Sequence, residues 1–264
     1  MKQRIISGLI AGALFIVLLY LGGYWFNGLM LLFSLLGFHE FIRMNKYKIF
    51  EASSLIGFIA VVYLALPWTQ FNFDNAASFE SIIWFLVFIL LCFTVISKNK
   101  MNYEKAAVLT IGVIYIGVGF HYMSETRWLE HGFYWSLLLY SCIWVTDSGA
   151  YFTGKAIGKH LLWPTISPKK TIEGAAGGMM FSVAAAICFS LYAPDLLDIY
   201  TAVWIGFIVA VAGQMGDLIQ SAYKRVSGIK DSGAILPGHG GVLDRCDSWL
   251  IVFPLVHLLN LVSL

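Results

Sequence analysis

Long apolar runs alternate with short polar connections along most of the chain. A helix that crosses a bilayer needs about 20 apolar residues, and these runs come close to that length. Backbone groups in lipid must bond within their own segment, so each run predicts a helix. We predict about nine transmembrane helices, near residues 5–23, 25–42, 54–68, 80–97, 106–122, 132–153, 174–193, 197–220 and 246–263.

The charges between these runs predict how the chain is oriented. The first run follows a basic start, as in a signal peptide, but its length and the spans after it favour a transmembrane helix. With the N-terminus in the cytosol, every Lys and Arg except Arg127 falls on the cytosolic side. Cytosolic connections carry such an excess of basic residues. We therefore predict a cytosolic N-terminus, a periplasmic C-terminus and cytosolic loops at 154–173 and 221–245.

Composition supports an all-α polytopic integral membrane protein. The chain is 59% hydrophobic and 12% charged, whereas soluble domains carry about 25% charged residues. A net charge of +2 gives no indication of a nucleic-acid partner. The polar chemistry is concentrated in the second half. We therefore expect residues 1–146, about five helices and the start of the sixth, to form an N-terminal region, and residues 147–264 to form a catalytic region.

The end of the eighth predicted span carries a polar face. Helical spacing places four residues on it, namely Asp217, Ser221, Lys224 and Arg225. An ionisable residue near the membrane interface is a candidate for function. The alternative is that Asp217 only pairs with Lys224 or Arg225.

A second pair of carboxylates follows at the start of the ninth predicted span. Asp244 and Asp247 are three residues apart, and one of them could be a helix N-cap. A cap does not explain both aspartates together with the glycines before them. Carboxylates from two helices could instead hold Mg²⁺, which takes oxygen ligands and often substrate phosphates. Glycine permits backbone conformations closed to other residues and close approach to a ligand.

The sixth predicted span and its loop repeat this pattern. Asp147 lies within an apolar helix, and Lys155 follows two turns later. The stretch SPKKT adds Lys169 and Lys170, which could bind an anion or only mark the cytosolic side. We expect the following GAAGG to serve tight helix packing. Glu40, near the end of the second span, could line the same cavity, or it could snorkel to the interface or pair with another helix.

The polar positions from Ser221 to Asp247 together resemble the signature of the phosphatidate cytidylyltransferase (CDP-diacylglycerol synthase) family. The matching groups are Ser221-x-x-Lys224-Arg225, Lys230-Asp231-x-Gly233, Pro237-x-His239-Gly240-Gly241 and Asp244-Arg245-x-Asp247. Tyr223 and Cys246 stand where the family usually has an aliphatic residue, and both are apolar. Residues 147–159 and 167–174 also look like the family. Over 1–146 the resemblance rests on the number and length of spans.

The resemblance implies a bacterial inner-membrane enzyme, working as a homodimer, that needs Mg²⁺. Its substrates would be CTP and phosphatidic acid, and its products CDP-diacylglycerol and pyrophosphate. The family match implies metal binding by Asp217, Asp244 and Asp247. Catalytic roles are expected for Lys224, Arg225, Lys230, His239 and Arg245. Substrate binding is expected for Asp147, Lys155, Ser167, Lys169, Lys170, Ser221, Gly240 and Gly241.

Two other functions would also use these residues. A CTP-dependent transferase could act on a different lipid phosphate, which an acceptor panel would reveal. A secondary transporter for an anionic solute could use the same intramembrane charges. Transporters often show repeated halves with paired broken helices, and this sequence has no visible repeat.

Overall fold

The computed structural model describes residues 2–73, 75–233 and 240–262, with side chains described from residue 8 onward. The predicted spans of the first half correspond to helices. Their bounds are α1 Lys2–Leu21, α2 Gly23–Met44, α3 Ala52–Ala65, α4 Phe79–Ile96 and α5 Tyr103–Trp128, with a 3-10 turn at Trp68–Phe71. In the second half the bounds are α6 Gly132–Ile157, β1 Leu161–Trp163, β2 Ser167–Thr171, α7 Ile172–Tyr192, α8 Ile199–Val226, α9 Leu243–Cys246 and α10 Trp249–Leu258.

Several of these helices suit a bilayer. Among the described residues, five are long and apolar enough to cross a membrane, namely α2, α4, α5, α7 and α8. Helix α6 has 26 residues, but its polar residues make it less apolar than this set. The structure therefore confirms a helical membrane protein. The total of about nine spans and the side on which each terminus lies remain predictions.

Two local features differ from the predicted pattern. The connection after α6 contains a hairpin, in which β1 pairs with β2 antiparallel, with Leu161 opposite Thr171. The last predicted span, 246–263, was too long, because α10 has only 10 residues and contains Pro254. At 1.5 Å per residue α10 is about 15 Å long, which is half the usual hydrocarbon thickness.

The chain folds into two units. The first unit comprises residues 1–128 and 231–243. Its core forms where α2 and α3 pack against α5, and the rings of Phe38 and Phe58 meet edge to face at 4.9 Å. Arg127, the basic residue predicted outside, donates from Nε to the carbonyl oxygen of Leu19 at 2.7 Å. It therefore lies at the C-terminus of α1, where a positive charge is stabilising.

The second unit comprises residues 129–230 and 244–264. Helices α6 and α7 pack closely along glycines. A Cβ placed on Gly178 would lie 2.7 Å from the carbonyl oxygen of Thr146, and one on Gly174 would lie 2.8 Å from that of Ala150. The prediction that GAAGG serves helix packing is therefore confirmed. Helix α10 packs on α6 through Tyr140, whose ring centroid is 4.8 Å from that of Trp249.

Candidate active site

A pocket of about 370 Å³ opens within the second unit. Helices α6, α7 and α8 and the hairpin form its walls. Its lining includes predicted site residues from three separate stretches of sequence, namely Asp147, Lys155, Lys169, Lys170 and Asp217. Carboxylates and lysines therefore line the same cavity, which suits a charged ligand such as a metal-bound phosphate.

The start of α7 fixes one wall of this pocket. Thr171 is the N-cap residue of α7, and its hydroxyl accepts a hydrogen bond from the backbone N–H of Gly174 at 3.1 Å. Two residues later, the carboxylate of Glu173 accepts backbone hydrogen bonds from Lys159 at 3.1 Å and from His160 at 3.2 Å. Since β2 runs directly into α7, these bonds set the position of the lysines on the strand.

Lys170 is a lysine of the pocket lining that contacts a carboxylate directly. Its Nζ lies 2.7 Å from Oδ2 of Asp217, and both side chains are partly exposed to the pocket. The other oxygen of Asp217 accepts a hydrogen bond from the hydroxyl of Ser221 at 3.2 Å. Two members of the predicted face of α8, Asp217 and Ser221, are therefore in contact. The simpler interpretation, in which Asp217 only pairs with Lys224 or Arg225, is wrong, because the ion-pair partner of Asp217 is Lys170.

Lys224 points to a different aspartate. Its Nζ lies 2.7 Å from Oδ1 of Asp244, with 13% and 8% of the two side chains exposed. Arg225 is exposed, and its Nε donates to the carbonyl oxygen of Ile166 at 3.2 Å. The basic pair at the end of α8 therefore connects this helix to α9 on one side and to the hairpin on the other.

Asp247 lies against α8 in a tightly packed turn. A Cβ on Gly216 would come within 2.6 Å of the carbonyl oxygen of Asp247. The neighbouring Ser248 donates its hydroxyl to the carbonyl oxygen of Gly213 at 2.9 Å. Ser248 is the N-cap residue of α10 and its side chain makes no cap bond. The capping alternative for the two aspartates is therefore wrong for this helix.

Three carboxylates of the second unit are close enough to repel one another. Asp247 interacts electrostatically with both Asp217 and Asp147, while Lys170 and Lys224 offset part of that negative charge. Among the described residues, however, no three acidic, His or Cys side chains form a compact metal-binding cluster. The structure thus groups Asp147 with Asp217 and Asp247, and it pairs Asp244 with a lysine.

The remaining predicted site residues are not all gathered in the pocket. Ser167 begins β2 and is partly buried, while Lys155, Lys169, Lys230 and Arg245 are exposed. Gly240 has a positive φ of 80°, a conformation that favours glycine. Gly241 is buried in the first unit beside the carboxylate of Glu40. His239 lies outside the described residues.

Sequence reasoning missed some of the residues that matter. Gln214 lines the pocket and donates from Nε2 to the carbonyl oxygen of Ala175 at 3.3 Å. Its position three residues before Asp217 on the same helical face was the available signal. Glu40 was not missed, but its role was left open between lining the cavity and a snorkelling or helix-pairing role; its side chain is 1% exposed and accepts a hydrogen bond from Ser232. A carboxylate within an apolar helix was the signal there.

The sequence matches the cytidylyltransferase family from residue 2 to residue 262, and the chain belongs to that family. It is similar to a phosphatidate cytidylyltransferase of Bacillus subtilis (strain 168), at 41% identity over 98% of this chain and 97% of the relative. One from Staphylococcus haemolyticus (strain JCSC1435) is 38% identical over 98% of both chains. One from Staphylococcus aureus (strain COL) is 36% identical over 100% of both. The predicted family and the predicted nucleotidyltransferase class are confirmed.

Proposed function

We propose that this chain transfers a cytidylyl group from CTP to phosphatidic acid and that the pocket of the second unit is where it does so. The observation that carries the proposal is that this one pocket gathers Lys155, Lys169 and Lys170 around Asp147 and Asp217. Membership of the cytidylyltransferase family supports the use of CTP. The names of the bacterial relatives support phosphatidic acid as the acceptor.

The reaction needs little proton transfer. A phosphate oxygen of phosphatidic acid attacks the α-phosphorus of CTP, and a new P–O bond forms. The bond from that phosphorus to the oxygen bridging to the β-phosphate breaks, and pyrophosphate leaves with its electrons. The attacking oxygen is already anionic near neutral pH. The enzyme's task is therefore to bring two polyanions together and to stabilise the departing charge.

The lysines of the hairpin suit this task. Lys169 is exposed at the pocket, and Lys170 is held by Asp217 at 2.7 Å. A lysine ammonium group is a compact charge that binds phosphate oxygens well. Since the N-cap of α7 fixes the end of the strand, the backbone that carries both lysines is positioned beside the pocket before substrate arrives, and the ion pair with Asp217 also holds the ammonium group of Lys170. This arrangement lowers the cost of assembling the charged reactants.

We further propose that Mg²⁺ is bound with Asp217 and Asp247, as well as Asp147 or Asp244. The donor set fits, because these are oxygen ligands and three of the carboxylates repel one another. Mg²⁺ is usually bound by one or two carboxylates together with substrate phosphates, which agrees with a group that is not a compact cage. When bound, it would neutralise phosphate charge and polarise the α-phosphate. The ion pair with Lys224 offsets the negative charge of Asp244.

The substrates also determine on which side of the membrane the site opens. CTP is water-soluble and reaches the enzyme from the cytosol, whereas the acyl chains of phosphatidic acid stay in the bilayer. The cytosolic placement of loops 154–173 and 221–245 by the positive-inside rule agrees with this. We therefore propose a multi-pass protein of the bacterial plasma membrane with its site at the cytosolic face. A homodimer remains a prediction from the family.

An acceptor panel tests the proposed function. The purified chain in detergent would be given labelled CTP, Mg²⁺ and either phosphatidic acid, a polyprenyl phosphate or no lipid. We expect a labelled CDP-lipid only with phosphatidic acid, with one pyrophosphate released per lipid formed. Label on the polyprenyl phosphate instead would assign a different acceptor. No labelled lipid, with uptake of an anionic solute into proteoliposomes, would favour a transporter.

A further inference from the structure

The carboxylate of Glu40 is buried in the first unit, where the side chain is 1% exposed. Its Oε1 accepts a hydrogen bond from the backbone N–H of Val242 at 2.9 Å. Its Oε2 accepts one from the N–H of Leu243 at 3.0 Å and another from the hydroxyl of Ser232 at 2.8 Å. One side chain of α2 therefore holds two stretches of the family signature that lie on either side of residues 234–239.

Glycines of the signature lie directly against this carboxylate. A Cβ on Gly233 would lie 2.8 Å from Cδ of Glu40, and one on Gly241 would collide with both carboxylate oxygens. The collision would also involve the hydroxyl of Ser232. A side chain at either position would therefore displace the carboxylate of Glu40 from its hydrogen bonds. Sequence reasoning had explained Gly241 by backbone freedom and by close approach to a ligand, and had not foreseen the contact with Glu40.

The hydrogen bonds account for a carboxylate in this place. Burying a charge is costly unless it is hydrogen-bonded or paired. Of the ion pairs formed within the described residues, none includes Glu40. Its bonds go to the N–H groups where α9 begins at Leu243, and such groups lack partners within their own helix.

We propose that Glu40 is a positioning residue for the signature aspartates. It touches no substrate, and instead fixes the backbone of Val242 and Leu243. Asp244 is the next residue in the chain, so the place where α9 begins decides where its carboxylate can lie. The link to catalysis rests on the proposed function, whereas the hydrogen bonds themselves can be tested without substrate.

The test replaces Glu40 by Gln and measures two properties of the folded protein. The side-chain amide of glutamine has only one acceptor oxygen, and its NH₂ group would face a backbone N–H or hydroxyl donor that the carboxylate now accepts from. We expect the amides of residues 242–243 to exchange hydrogen at least about tenfold faster. For phosphatidic acid we expect kcat to fall at least about tenfold while KM stays within about twofold. Glu51→Gln, which removes a partly exposed carboxylate of the same unit that pairs with Lys105, is the matched control.

Unchanged exchange at residues 242–243, or an unchanged kcat, would overturn the proposal. A purely structural role would lower the melting temperature and leave the kcat of the remaining folded enzyme intact, which also counts against it. If the unaltered chain formed no CDP-lipid, the proposed function would fail. The hydrogen-exchange measurement would still test whether Glu40 holds the backbone of residues 242–243. The two failures are therefore distinguishable.

A milder variant covers the case in which Glu40→Gln does not fold. Ser232→Ala removes one of the hydrogen bonds and keeps both backbone bonds. We expect exchange around residues 240–243 to become about fivefold faster, as for one lost hydrogen bond, with a smaller loss of kcat. Ser53→Ala is the control, since its buried hydroxyl has no partner among the described residues. If the two serine variants behaved alike, the proposal would be wrong.

Discussion

The ammonium group of Lys170 lies 2.7 Å from a carboxylate oxygen of Asp217 and joins β2 to α8 inside the pocket. Lys170 comes from the SPKKT stretch, and Asp217 comes from a helix 47 positions later. The sequence alone does not indicate that these two residues are partners. This contact brings the two predicted groups of polar residues into one candidate site.

Lys170→Met should lower kcat/KM for CTP by about tenfold or more, since hydrogen bonds to charged groups are worth about 1.5–3 kcal/mol. Steady-state kinetics with labelled CTP would measure it. Because Lys170 and Asp217 are in contact, the double variant with Asp217→Asn should lose less than the product of the single losses. Lys100→Met, at an exposed position in the first unit, should leave kcat/KM unchanged. Fully multiplicative losses would show that the ion pair does not couple the two residues.

The Lys224–Asp244 pair should matter for stability as well as for activity. Both side chains are largely buried, and removing one partner of a buried pair costs about 3–5 kcal/mol because the other charge is left uncompensated. Lys224→Met should therefore lower the apparent melting temperature in detergent more than Lys224→Met combined with Asp244→Asn does. An equal or larger loss in the double variant would contradict a buried pair.

The sequence predicted most of the helices and the polar positions, but few of their partners. Apolar runs report burial or lipid contact directly, so the bounds of α2 and α4 agree with prediction within a few residues. The hairpin was not predicted because its strands are only 3 and 5 residues long, and the longer strand carries mostly polar side chains. The roles of Glu40 and Gly241 could not be inferred, since they meet across 201 positions of sequence. Such contacts are set by packing.

Gly178→Ala should destabilise the second unit. The added methyl would lie 2.7 Å from the carbonyl oxygen of Thr146 and 3.1 Å from Cβ of Ala150, and such overpacking costs about 1–3 kcal/mol. The matched control is Gly28→Ala, where nothing lies within 4 Å and alanine favours the helix by about 1 kcal/mol. Thermal unfolding in detergent should therefore shift downward for the first variant and not for the second. A stable Gly178→Ala protein would contradict the close packing of α6 with α7.

The most direct test of the account is the Mg²⁺-dependent turnover of three aspartate variants with CTP and phosphatidic acid. Asp147→Asn, Asp217→Asn and Asp247→Asn each remove one of the mutually repelling carboxylates. We expect each to lower kcat by about 100-fold or more, with the Mg²⁺ concentration for half-maximal rate raised. Glu51→Gln should keep full activity. Near-full Mg²⁺-dependent turnover in all three aspartate variants would contradict a metal-assisted site in this pocket.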